Sequence, residues 1–178
     1  PYLESDPPHP LNVYGHSKWK GERYVQELVK DVLIIRTQWL YGKYGKNFVT
    51  SILRQASEKR VLPIVNDQIG SPTYTVDLAK AISTLIQFDA RGIFHAANSD
   101  LCTWYTFGQA ILKLSGMDKV KVIPISSKEL ARPAVRPSYS VFNCQKLKKE
   151  TSLTLRPWSE ALKEYLSTYR PSTDRMGR

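Results

Sequence analysis

The spacing of apolar and polar residues changes several times along the chain, and the changes mark alternating helices and strands. Residues 11–29 are good helix formers with Tyr14, Val25, Leu28 and Val29 among the apolar positions, after a Pro-rich entry that stops at Pro10. This predicts a helix. Residues 32–37 form a short β-branched run without alternation, the signature of a parallel strand buried on both faces. A Gly-rich turn at 41–46 leads to a predicted helix over 47–58, a strand over 62–65 and a loop over 66–75. Thr75 is placed to cap a third helix with Asp77 in its first turn and Ala79, Ile82, Leu85 and Ile86 inward, and 92–97 read as a further strand. Thr103 begins a helix through Ile111 and Leu114 that stops at Gly116, residues 120–125 alternate as a strand, and a last helix covers 157–169 with Pro157 in its first turn. The polar stretch 171–178 reads as a frayed tail. Strand and helix in alternation predict an α/β fold.

With 178 residues, 42% of them hydrophobic, the chain can bury a core. No run approaches eighteen apolar residues, so no membrane-spanning helix is expected. The opening from Pro1 lacks an initiator Met and a secretory signal, and the chain reads as beginning within a longer protein. Cys102 and Cys144 are the two cysteines, with no zinc-like cluster, which suits a reducing cytoplasm and predicts no bound metal. A net charge of +10 favours an anionic partner such as a nucleotide diphosphate. The basic residues are scattered, which argues against nucleic acid. Homodimerisation stays open.

Tyr14 and Lys18 are four residues apart on the first predicted helix, so their side chains share one face. A phenol, with an ordinary pKa near 10, becomes a useful proton donor when an ammonium group nearby favours its ionised form. Spacing alone is weak, since about one such pair arises by chance in a chain of this composition. A half-buried Tyr beside a solvated Lys is the plain alternative.

The surrounding residues carry more information. Pro10-Leu11-Asn12-Val13-Tyr14-Gly15-His16-Ser17-Lys18-Trp19-Lys20-Gly21-Glu22 resembles the PLNxYGxSKxxGE segment of extended short-chain dehydrogenases/reductases. Ile35 to Gly42 (IRTQWLYG), Gly45 to Val49 (GKNFV), Asp67 to Thr73 (DQIGSPT) and Arg136 to Ser140 (RPSYS) are similar, in order, to motifs of the dTDP-4-dehydrorhamnose reductases. The resemblance covers essentially the whole chain. It implies the C-terminal part of an NAD(P)-binding Rossmann-like fold (residues 1–37 and about 75–97) with a small α/β substrate-binding lobe (about 38–74 and 98–170).

It further implies that Tyr14 protonates the C4 keto oxygen of dTDP-4-dehydro-L-rhamnose as NADPH, or NADH, supplies hydride. Lys18 would hold the nicotinamide ribose, and Thr37 and Gln38 would lie against the cofactor at the carboxyl end of their strand. Trp39 would face the deoxysugar, with core packing as its alternative role. Asn47 would be either a helix cap or a diphosphate contact, Gln68 and Thr73 either ligand contacts or ordinary turn residues, and Arg136 either a bidentate diphosphate clamp or a surface ion pair. Some family members hold magnesium just after the DQxGxPT motif, where Val76 stands here. Missing from the chain are the Gly-rich GxxGxxG turn and the Ser or Thr that polarises the keto oxygen, so the 178 residues alone are expected to bind cofactor poorly. A nucleotide-sugar epimerase or dehydratase, and a regulatory subunit like that of methionine adenosyltransferase, are the rival readings.

Overall fold

A computed structural model describes residues 1–169, and the tail predicted at 171–178 lies outside the described residues. The chain opens with a strap over its first ten residues and enters α1 (Val13–Leu28), whose N-cap is Asn12, its side chain accepting from the Gly15 backbone N–H. The run expected to be buried on both faces becomes β1 (Leu33–Arg36), parallel and in register with β6 (Gly92–His95), but all four of its residues are only half-buried, since β6 is its one strand partner among the described residues. Between them lie β2 (Leu40–Tyr41), α2 (Phe48–Glu58), β3 (Val61–Val65), β4 (Ile69–Gly70), β5 (Thr73–Tyr74) and α3 (Thr75–Gln87). After β6 come β7 (Cys102–Thr103), α4 (Trp104–Leu114), β8 (Lys121–Ile125), α5 (Ser127–Leu130), α6 (Gln145–Thr151) and α7 (Trp158–Thr168).

The long elements fall within a residue or two of their predicted spans, because their apolar periods are pronounced. Four local expectations shift. On α3 the buried face is Leu78, Ala81 and Leu85, so of the four residues expected inward only Leu85 is buried, while Ala79, Ile82 and Ile86 are exposed. The 66–75 loop contains β4, antiparallel to β7, and β5, parallel to β2; two-residue strands carry no period to read. Tyr74, not Thr75, occupies the N-cap of α3, and it makes no side-chain cap bond. Pro157 is likewise one residue ahead of its helix, as the N-cap of α7. Helices α5 and α6 were not anticipated, although Ser126 and Glu129 form a reciprocal capping box around α5.

Two apolar clusters hold the chain together. The larger gathers Tyr41, Val49, Ile52, Leu62, Phe107 and Tyr165 between α2, α4, α7 and the β3–β8 pair. The smaller packs Leu78, Ala81 and Leu85 of α3 beneath Phe94 and Ala96, with Leu33 and Ile35 of β1 against it. Leu147 and Leu155, from the stretch that the resemblance gives to the lobe, complete this second cluster. Segment 98–170 therefore contributes to both. Helix α1 contributes a buried residue to neither.

Candidate active site

Helix α1 runs beside the carboxyl end of β1, so Tyr14 and Lys18 stand where open α/β sheets place ligands. Both line one cavity of about 540 Å³, together with Glu22, Arg36, His95 and Ser140. The Lys18 Nζ lies 5.7 Å from the centroid of the Tyr14 ring, and Tyr14 is 71% exposed, so its phenol is open to a ligand. The fold thus brings Tyr14 and Lys18 together on one cavity, with the ammonium over the face of the ring.

Just past β1, Thr37 Oγ1 and Gln38 Nε2 are buried without a hydrogen-bond partner among the described residues. The Gln38 carbonyl oxygen accepts from the Ser140 hydroxyl at 3.0 Å, which turns its amide nitrogen the other way. A buried donor left unpaired costs about 1–3 kcal/mol.

His95, the register partner of Arg36, is buried and stacked on Phe142 at 4.2 Å. Burial is the main cause that lowers its pKa, with Glu4 opposing and Arg36 assisting. Its Nδ1 lies 3.2 Å from the Tyr2 carbonyl, and its backbone N–H donates to Glu4, so the opening strap is tied across the sheet end.

Trp39 adopts a left-handed backbone, φ 47°, which is costly for a bulky residue. Its ring is stacked on Trp104 with centroids 3.6 Å apart. Gly70 makes room: a Cβ there would stand 2.5 Å from Trp39 Cε2. Trp104, rather than Trp39, lines the neighbouring cavity of about 580 Å³, along with Gln68, Ser127, Lys128, Arg132 and Arg136.

The remaining residues singled out in the sequence have structural work. Asn47 caps α2 through its bond with the Thr50 N–H in a capping box, and its amide nitrogen donates to the Gly42 carbonyl. Thr73 is fully buried and its hydroxyl donates to the Ser71 carbonyl. Gln68 is buried, accepting from the Trp104 indole and donating to the Ser127 hydroxyl. Arg136 is exposed, with one bond to the Ala134 carbonyl, and no ion pair to it is found among the described residues. Sequence reasoning passed over Trp104 as a cavity wall and the basic groups Lys128 and Arg132 beside it; the capping box that starts α5 was the available signal. Among the described residues no group of three or more His, Cys, Asp or Glu could hold a metal ion, and no helix is long and apolar enough to cross a membrane.

A helix bearing a Tyr/Lys pair at the carboxyl ends of parallel strands, beside a mixed α/β lobe, defines an extended short-chain dehydrogenase/reductase architecture. The family described as RmlD substrate binding domain matches residues 1–170, and the chain belongs to it. The chain is 43% identical over 166 residues to the spore coat polysaccharide biosynthesis protein SpsK of Bacillus subtilis (strain 168), covering 93% of this chain and 58% of SpsK. It is 41% identical over 170 residues to the dTDP-4-dehydrorhamnose reductase of Streptomyces griseus, covering 92% of this chain and 56% of that protein. A crystal structure of dTDP-4-dehydrorhamnose reductase from Bacillus anthracis str. Ames in complex with NADP superposes with a TM-score of 0.91 at 40% identity, covering 94% of this chain and 59% of the other. The chain thus spans less than two thirds of the length of these relatives.

Proposed function

We propose that these residues form the substrate-binding part of an NADPH-dependent dTDP-4-dehydrorhamnose reductase, which reduces dTDP-4-dehydro-L-rhamnose to dTDP-L-rhamnose for cell-surface polysaccharide synthesis in the cytoplasm. The observation that carries this reading is the convergence of Tyr14 and Lys18 on one cavity, with a basic, aromatic-walled cavity next to it. The printed names of two relatives, one a dTDP-4-dehydrorhamnose reductase and one a polysaccharide biosynthesis protein, support the substrate class.

The residues present fit the nicotinamide end of the cofactor: the orphaned Thr37 Oγ1 and Gln38 Nε2 stand ready for polar partners, and Lys18 for a ribose hydroxyl. No Gly-rich cradle for the cofactor diphosphate occurs in the sequence. When bound, NADPH supplies the hydride that reaches C4.

Tyr14 gives its phenol proton to the C4 oxygen, so the carbonyl becomes a secondary alcohol with no alkoxide left in the cleft. Lys18 stabilises the phenolate that remains. Arg136, free of a carboxylate partner among the described residues, meets the substrate diphosphate, with Lys128 and Arg132 adding positive potential. Trp104, stacked on Trp39 and packed against Phe48, gives their cavity an apolar edge for the thymine or the sugar ring. Asn47, Gln68 and Thr73 act through the shape of the lobe, because their polar side-chain atoms are already engaged.

Calorimetric titration of the chain with dTDP tests the reading. Saturable binding is expected, weakened about tenfold or more by Arg136→Ala, the cost of one charge-assisted contact. Binding that is absent, or indifferent to Arg136, would contradict the assignment of this cavity.

A further inference from the structure

Tyr14, Lys18 and Glu22 follow one another at intervals of four on α1, and all three line the same cavity. Lys18 therefore has a phenol one turn before it and a carboxylate one turn after it. Residues four apart on a helix reach each other readily, and a Lys/Glu pair at this spacing attracts, though less strongly with Lys first, as here, than with Glu first. Such a pair would hold the ammonium away from the phenol.

Glu22 is turned elsewhere. Arg36, the last residue of β1, donates from Nε to both carboxylate oxygens at 3.0 Å and from Nη2 to Oε2 at 2.6 Å. The two side chains keep only 18% and 21% of their exposure. A forked, charge-assisted contact of this kind is stronger than an exposed Lys/Glu pair. The Lys18 Nζ, in turn, sits over the Tyr14 ring.

We propose that Arg36 is a positioning residue for the Tyr14–Lys18 pair: by engaging Glu22 it keeps that carboxylate off Lys18 and leaves the ammonium to the phenol. The proposal rests on the reductase reading, in which those two residues do the proton work. An anchor that merely fastens α1 to the sheet behaves differently. Losing either partner of an anchor costs about the same, and losing both costs no less. Masking makes the two losses unequal. Without Arg36, a half-buried carboxylate loses its partner and the cation four residues back is Lys18; without Glu22, nothing competes for Lys18.

The test is carbon-13 NMR of the full chain after reductive methylation with labelled formaldehyde, with the Lys18 signal assigned by its loss in Lys18→Arg. Arg36→Met is expected to move that signal. Glu22→Gln is expected to leave it near its native position, and the double variant Glu22→Gln/Arg36→Met to bring it back. Since Arg36→Met leaves a half-buried charge unpaired and can loosen α1, Arg36→Lys asks the same question. Its single-point charge covers the carboxylate incompletely, so a smaller displacement is expected, again reversed by Glu22→Gln. In a protein that turns over, kcat is expected to fall about tenfold in Arg36→Met, with KM little changed and most of the loss recovered in the double variant, a fraction of what a positioned proton donor contributes. A Lys18 signal that stays put in both Arg36 variants, or moves as far in Glu22→Gln alone, would overturn the proposal. The NMR arm reads the surroundings of Lys18 whether or not a sugar is reduced, so its failure is distinct from failure of the reductase reading.

Discussion

The lobe core and helix α1 are held by different physics. Around Phe107, aromatic rings pack in mutual contact: Tyr41, Phe48 and Trp158 all lie with centroids within 5.7 Å of its ring, and Phe107 itself is fully buried. On α1 nothing is buried. Val13 and Leu28 are 87% and 82% exposed, and the helix is fixed by polar pins, the Asn12 amide to the Val135 carbonyl at 2.7 Å and Glu22 to Arg36. Stability in this chain therefore belongs to the lobe and the α3 cluster, whereas the proposed proton chemistry rides on a helix whose orientation is set by a few directional bonds.

The contrast is sharpest at the core. Phe107→Ala is expected to lower stability by about 3–5 kcal/mol, the usual cost of deleting a buried aromatic ring, read by denaturant unfolding followed by circular dichroism. Next in size, Gly70→Ala should cost about 1–3 kcal/mol, because the new methyl meets the Trp39 ring and the stack beyond it must shift. Indole fluorescence should change in the same variant. If Gly70→Ala is neutral, the close Trp39–Gly70 packing is not what fixes the left-handed turn.

A smaller effect is expected at His95, where the strap is tied to the sheet. Burial lowers its folded pKa, so between the unfolded value of about 6.5 and that lower folded value the unfolded chain binds more protons. Stability from this group is complete above about 6.5 and is lost as the pH falls toward the folded pKa. Melting curves across that range should show the loss, and His95→Gln should flatten it. Smallest of all, Leu28→Ala should change stability by less than about 0.5 kcal/mol in this chain, as exposed substitutions do. A cost comparable to that of Phe107→Ala would mean that the outer face of α1 is covered.

Much of this was legible in the residues. Period and β-branching located β3, β6, β8 and helices α2, α4 and α7, because each buries part of one face; α1 was located by its helix-forming residues after a Pro-rich entry, and β1 by its β-branched run. The two-residue strands β2, β4, β5 and β7 were not legible, since their pairing is decided by partners distant along the chain. At the site, the four-residue spacing of Tyr14 and Lys18 fixed their common face through helix geometry alone. The commitments of Asn47, Gln68 and Thr73 could not be read that way: whether an amide or hydroxyl meets a ligand or a backbone carbonyl depends on what folds against it. The Trp39–Trp104 stack joins residues from separate elements, and no local pattern announces it.

The role of Tyr14 is tested most directly by turnover of dTDP-4-dehydro-L-rhamnose with NADPH, in a protein joining these residues to the remaining portion of a relative's chain. Tyr14→Phe is expected to lower kcat by about 10²–10⁴, the contribution of a positioned proton donor, with the circular dichroism spectrum unchanged. Full turnover in Tyr14→Phe would contradict the assignment of that phenol as the donor.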